Sequence, residues 1–265
     1  MEFPRPSFEQ VVEEYEALYH SNPLRWDDPG HDRYIFEMVK WHLRGTQRGT
    51  PESMLDFGCG SGHTLEYFAR RWPSTRLYGL DLSKRAVEIT QKRVPRASCL
   101  AGSIETATFP EAFEFITAVG VLEHCPDPVR TLSRMRDLLS PAGIAYVEVP
   151  DCIAYPESEK GEGFRKLNTG SRQWEWHLHR RSWHEQIRSS GLSMNLSLSG
   201  PSASTRFIWI LSRKKEPISF FPLLRIHTYG IAMRARERTL SDLYRFYRRA
   251  RFLRFLSPSF FRNKP

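Results

Sequence analysis

The 265-residue sequence has no run approaching the roughly 18 uninterrupted apolar residues of a membrane-spanning helix. That argues against a helical membrane protein. The opening "MEFPRPSFEQVVEEYE" lacks the charged-then-apolar build of a signal peptide, and it is acidic where a transit peptide is not. Cysteine is scarce: Cys59, Cys99, Cys125 and Cys152, with no C-x-x-C pair among them. Reduced thiols in a cytoplasmic protein are expected, with no disulfide framework and no metal site. No internal repeat is present. What remains is ordinary globular composition, 40% hydrophobic and 26% charged, enough for one large domain with a substantial core.

Charge is present in excess but is unevenly placed. Of the net +9, residues 213–265 carry fourteen Lys+Arg against three acids, Glu216, Glu237 and Asp242. The other residues are close to neutral. Any anionic partner inferred from the charge therefore concerns the tail alone.

Two helical patterns open the chain, at about 7–20 and 31–44, and "RGTQRGTPE" connects them to a different rhythm. There "SMLDFG", "RLYGLDL", "ASCLAGS", "FEFITAVGV" and "GIAYVEVP" read as strands, alternating with "HTLEYFARRW", "SKRAVEITQKRV" and "DPVRTLSRMRDLL" as helices. Ser83 and Asp127 stand at cap positions, and Pro128 stands at a first helical turn. Short strands alternating with helices imply parallel pairing through right-handed crossovers, hence a doubly wound, Rossmann-like α/β sheet. Residues 151–176 are polar and aperiodic, which reads as a lid or insertion. A helix at about 181–190 ends at Gly191, and "SMNLSLS" and "TRFIWILSRK" then suit an antiparallel hairpin at the sheet edge. The expected organisation is a helical cap over 1–45, a seven-stranded domain over 46–213 with a lid at 151–180, and a basic extension over 214–265.

The stretch "LDFGCGSGH" lies at the first strand-to-helix turn, where a sheet of this type binds ligands. Gly58, Gly60 and Gly62 alternate there, more bareness than a tight turn requires. The nicotinamide fingerprint is G-x-G-x-x-G; this sequence has D-x-G-x-G-x-G, and Asp56 is a poor neighbour for phosphate. Asp81 ends the second strand, where a carboxylate can accept from both hydroxyls of a ribose.

The run "MLDFGCGSGHTLEYFARRWPSTRLYGLDLSKRAVEIT" closely resembles motifs I and II of class I S-adenosylmethionine-dependent methyltransferases. "FITAVGVLEHCPDPVRTLSRMRDLLSPAGIAYVEVPD" resembles the family's later L-E-H signature, and "HLHRRSWHEQIRSSGL" looks like its His-containing stretch. The resemblance covers about residues 50 to 213. It implies S-adenosylmethionine as cofactor, with Asp56 and Gly58 at the methionine amino end and Gly60 and Gly62 allowing close packing. It also implies Asp81 on the ribose, Leu82 beside the adenine, and Gly120 and Val121 near the sulfonium. In "LAGSIE", Ser103 stands where the family commonly has an Asp that reaches the adenine, and Ile104 follows.

Methyl transfer needs positioning, plus a base if the acceptor must lose a proton. His124, at the end of strand four, and the pair His177 and His179, beyond strand five, are the candidates. Each also admits a structural role, and Trp174, Trp176 and Trp183 could wall a substrate or cover the sheet. Strand four ends "AVGVLEHCPDP", without the Asn/Asp-Pro-Pro-aromatic sequence of base-amine methylases, and no Pro-Cys pair serves pyrimidine C5 chemistry. Nucleic acid is thereby disfavoured as a substrate. O-methylation of a small molecule, sugar or lipid-linked intermediate is the reading by elimination, with C- or N-methylation open. The rivals are a non-catalytic cofactor-fold module acting through its tail and, less favoured, an NAD(P)-dependent oxidoreductase. The tail mixes arginines with aromatics, and Leu243, Phe246, Tyr247, Ala250 and Leu253 form one stripe. An anionic membrane surface on the cytoplasmic face, packing on the domain or a second subunit, and RNA are the competing partners.

Overall fold

The computed structural model describes residues 7–150, 162–166, 174–199 and 206–216. Two helices open it, α1 (Phe8–Ser21) and α2 (Pro29–Gly45). Ser7 and Gln10 close a reciprocal capping box on α1, and Asp28 caps α2 with Pro29 at its first turn. Strands and helices then alternate: β1 (Ser53–Phe57), α3 (His63–Arg71), β2 (Arg76–Asp81), α4 (Lys84–Arg93), β3 (Ser98–Ala101) and β4 (Phe113–Val119). A 3-10 turn at Leu122–His124 leads into α5 (Pro128–Leu138) and β5 (Leu139–Pro150). After β6 (Gly163–Lys166) and β7 (Trp174–His177) come α6 (Arg180–Ser189), β8 (Ser193–Ser199) and β9 (Arg206–Ser212). The expected caps hold: Ser83 accepts from the Ala86 amide, Asp127 from Arg130, and Gly191 follows α6 with φ of 77°.

The main sheet has seven strands in the order β3-β2-β1-β4-β5-β9-β8. β9 runs antiparallel to both β5 and β8, so the final strand inserts between β5 and the edge strand. Period-2 alternation sorts its side chains between two cores. Phe115, Tyr146, Ile208 and Ile210 meet Met38, Leu65 and Phe68 from α2 and α3 on one face. Ile116, Val147, Trp209 and Leu211 meet Leu132, Met135, Trp183 and Ile187 from α5 and α6 on the other. Strand order reverses between β1 and β4, and the crevice beyond their carboxyl ends positions the site.

One expectation is corrected. The described part of 151–176 is not aperiodic: β6 and β7 form a two-stranded antiparallel sheet, Gly163 opposite His177. Four residues per strand are too few for alternation to show in sequence. Cys152, residues 151–161 of the lid and, from 217 onward, the tail on which the membrane, subunit and RNA readings rest lie outside the described residues. Among the described residues, no helix is long and apolar enough to cross a membrane.

Candidate active site

The turn after β1 is held down before any ligand enters. The amides of Gly58 and Cys59 donate to the Leu80 carbonyl at 2.7 and 3.0 Å, and Thr90 Oγ1 donates to the Gly60 carbonyl at 2.8 Å. Gly58 and Gly60 have φ of 77° and 53°, in the left-handed region that side chains avoid. A Cβ on Gly58 would fall 2.3 Å from Val121 Cγ2, and one on Gly60 would fall 2.7 Å from the Tyr19 hydroxyl. Beside this turn lies a cavity of about 720 Å³.

At the β1–β2 end, Asp81 is 7% exposed, and its two oxygens accept from the amides of Gly60 and Ser83, each at 2.9 Å. Burial pushes its carboxyl up to about 6, although these amides favour the charged form. Asp56 is also buried; its Oδ1 accepts from Thr117 Oγ1 at 2.5 Å, and burial lifts it to about 7. Ser103 donates its hydroxyl to Glu105, whose Oε1 accepts from Thr131 at 2.8 Å. An acid thus stands two residues after the position where the resemblance expects one.

Three acids fasten the N-terminal helices over this end. Glu16 accepts from the Lys84 amide at 2.5 Å and from Ser83 Oγ at 3.1 Å, placing a carboxylate at the start of α4. Asp27 binds Ser61 and Arg93, the latter at 2.8 Å, and Asp32 binds His63 and, at 2.8 Å, Thr64. The fastening brings Tyr15 and Tyr19 of α1 into the cavity wall.

At the β4–β5 end the chemistry differs. Glu148, an acid inside an apolar strand, is fully buried. It is held by His31 at 3.1 Å, Arg206 at 3.3 Å and the Tyr146 hydroxyl at 2.9 Å. Burial alone would raise Glu148, but His31 and Arg206 outweigh it and hold the carboxyl below its ordinary range. Burial opposes charge on His31 as well; Glu148 overcomes it and raises the imidazole. His124 Nδ1 lies 2.7 Å from the Trp174 carbonyl, which can only accept, so this nitrogen carries the hydrogen. Its ring meets Tyr15 edge-on at 5.9 Å. Glu123 lines the same end at 3% exposure, and burial pushes it up to about 7.

Of the residues singled out in the sequence, Asp56, Gly58, Gly60, Asp81, Leu82, Ser103, Ile104, Gly120, Val121 and His124 all line the cavity. Gly62 does not; it is the left-handed residue that starts α3, at φ of 78°. His177 and His179 do not line it either. His177 is wholly buried with Nε2 3.3 Å from Glu175, and His179 stands at the start of α6. Trp183 is core, while Trp174 stacks on Phe164 and Trp176 donates to the Cys125 carbonyl at 2.9 Å. Sequence reasoning passed over His31, Glu105, Glu123, Glu148 and Arg206. Only Glu148 offered a signal, as a charge in a strand otherwise built for burial.

Comparison with known proteins agrees with this geometry. A family described as a methyltransferase domain matches residues 32–195. Trans-aconitate 2-methyltransferase of Methylobacterium radiotolerans is 35% identical over 106 residues, 40% of this chain and 41% of that protein. An uncharacterized protein of Synechococcus is 31% identical over 191 residues, 63% of this chain and 44% of that protein. The chain thus spans less than half the length of these curated relatives. In fold it is similar to the Burkholderia thailandensis 1,6-didemethyltoxoflavin-N1-methyltransferase, solved with S-adenosylhomocysteine bound. That likeness has a TM-score of 0.61 at 19% identity and covers 82% of this chain and 94% of that one. With the family match spanning most of the sheet and the glycine turn at its switch point, the chain belongs to the methyltransferase-domain family, with the class I S-adenosylmethionine-dependent fold.

Proposed function

We propose that the protein transfers the methyl group of S-adenosylmethionine to an oxygen of a small-molecule acceptor. The observation that carries this reading is the cavity itself: one space of about 720 Å³ running from the glycine turn and Asp81 to Glu123, His124 and Arg206. The residues fit the cofactor. A Cβ at Gly58 or Gly60 would strike Val121 or Tyr19, so both positions stay glycine, and the turn they form lines the cavity. Each Asp81 oxygen has a second lone pair beyond its amide bond, suited to a ribose hydroxyl. Asp56, buried and raised by burial, regains charge when a cationic amino group sits beside it. Glu105, joined to Ser103, supplies the acid for the adenine edge.

The bound cofactor supplies an activated methyl group. The chain supplies position: the Gly120–Val121 bend aims the acceptor end, and Tyr15 and Tyr19 exclude water from above. In this reading residues 46–213 are the transfer domain and residues 1–45 its cap. Oxygen is preferred because the strand-four end lacks the amine-methylase sequence. The related enzymes named for trans-aconitate support a small, polar acceptor; sugars and lipid-linked intermediates belong in the same screen. Calorimetric titration with S-adenosylmethionine and S-adenosylhomocysteine, using Asp81→Ala and NADH as controls, tests the reading. Binding of both sulfur ligands, lost in the variant and absent with NADH, is expected. Binding of NADH alone would return the chain to the oxidoreductase alternative.

A further inference from the structure

Most polar groups along the cavity have a partner or a role that the fold explains. Asp28 and Asp127 cap helices, Asp32 and Glu148 are paired, and Asp81 accepts two amides. Glu123 stands apart. It lines the cavity at 3% exposure, and its Oε2 has no hydrogen-bond partner among the described residues. Its Oε1 lies 3.9 Å from His124 Nε2. The same Oε1 would be 3.5 Å from a Cβ on Gly120, so the carboxyl rests against the bend that ends β4. A buried carboxyl with a bare oxygen is costly unless a ligand completes it.

We propose that Glu123, at the cavity wall with an unpartnered carboxyl oxygen, is the proton acceptor of the transfer reaction. This rests on the cofactor reading above. As the acceptor oxygen forms its bond to the methyl carbon, its proton passes to the Glu123 carboxylate. The carbon–sulfur bond breaks with its electron pair going to sulfur, which leaves as a neutral thioether. The surroundings support the assignment. Burial lifts Glu123 to about 7, and Glu175 from β7 also opposes its charge. His124 beside it and Arg206 from β9 favour the charge, while Tyr15 from α1 and Cys125 face it as neutral groups raised by burial. A carboxyl so placed is balanced near neutrality, where a general base works best. A sulfonium entering the site tips it to the charged form; the neutral thioether does not.

That asymmetry permits a test without knowing the acceptor. Calorimetry at pH 7 in buffers of different ionisation enthalpy counts the protons released on binding S-adenosylmethionine and S-adenosylhomocysteine. Their amino ends are identical, so any response of Asp56 cancels in the difference. An opposite charge nearby lowers a carboxyl by 1 unit or more, so the sulfonium ligand should release about 0.4 proton more than the thioether. In Glu123→Gln, an isosteric change, S-adenosylhomocysteine should bind with near wild-type affinity, S-adenosylmethionine about 5-fold more weakly, and the difference in proton release should vanish. A pH series on the unmodified protein adds an arm that needs no variant: the difference should peak near or below about pH 6.5 and fade by about pH 9. Equal proton release by the two ligands, or a difference that survives in Glu123→Gln, overturns the inference while leaving the cofactor reading intact. If neither ligand binds, the cofactor reading fails and takes this inference with it.

Discussion

The two ends of the cavity treat buried charge in opposite ways. At the glycine-turn end amides and hydroxyls hold the acids nearest the turn, Asp81 by two amides and Asp56 by Thr117, while the charge pairs Asp27–Arg93 and Asp32–His63 serve to fasten the N-terminal helices. At the strand-four end charges hold one another, His31 to Glu148 to Arg206, and Glu123 keeps one oxygen bare. The first arrangement fixes its acids with hydrogen bonds that suit a ligand held in one place. In the second, the unpartnered oxygen of Glu123 is what separates it from its paired neighbours.

The contrast can be broken most severely at Glu148. Glu148→Ala leaves His31 and Arg206 without their shared carboxylate and should cost about 3–5 kcal/mol of stability in a urea titration. A loss under about 1 kcal/mol would mean that the pairing is incidental. At the other end, Asp81→Asn replaces one accepting oxygen with an NH2 group that faces a backbone amide. S-adenosylhomocysteine should bind about 100-fold more weakly, a loss of about 3 kcal/mol, and the amide left facing a donor should cost about 1–3 kcal/mol in unfolding.

Titration sharpens the comparison across both ends. Asp56 at about 7, Asp81 at about 6 and Glu123 at about 7 all lie above ordinary carboxyl values because of burial. Between about pH 4 and 7 the folded chain therefore holds more protons than the unfolded chain at these sites, and stability falls as pH rises. His31, raised by Glu148, acts in the same direction near and above its unfolded value. His42, lowered by burial to about 4, and His184, also lowered by burial, oppose them below about pH 6.5, but as two groups against four. The melting temperature of the ligand-free protein should thus be higher at pH 5.5 than at pH 8. A rise with pH would show that the carboxyls are better hydrated than their burial suggests. The smallest effect is expected at the cap. Glu16→Gln weakens the link to the start of α4 and should cost about 1 kcal/mol in stability, with S-adenosylhomocysteine affinity falling less than tenfold.

The glycine-turn end was legible in sequence because its determinants are local. Gly58, Gly60 and Asp81 occupy fixed offsets on one β-α-β unit, and backbone amides, which any sequence provides, do most of the holding. The strand-four end was not. His31, Glu148 and Arg206 come from a cap helix, a central strand and the last strand, and only the folded sheet brings them together. His177 admitted two readings in sequence, a site beside tryptophans or a structural role, and its burial beside Glu175 on a four-residue strand favours the second. Glu123 went unweighed because its neighbour His124 carries the more familiar chemistry, and no pattern of residues reports a bare buried oxygen.

The account is tested most directly by a crystal structure of the protein with S-adenosylhomocysteine. It predicts ribose hydroxyls on Asp81, with the sulfur at the Gly120–Glu123 end of the cavity and the Glu123 carboxyl facing the space beyond it. A nucleoside bound away from Asp81, or a sulfur directed away from Glu123, would contradict the division of labour between the two ends.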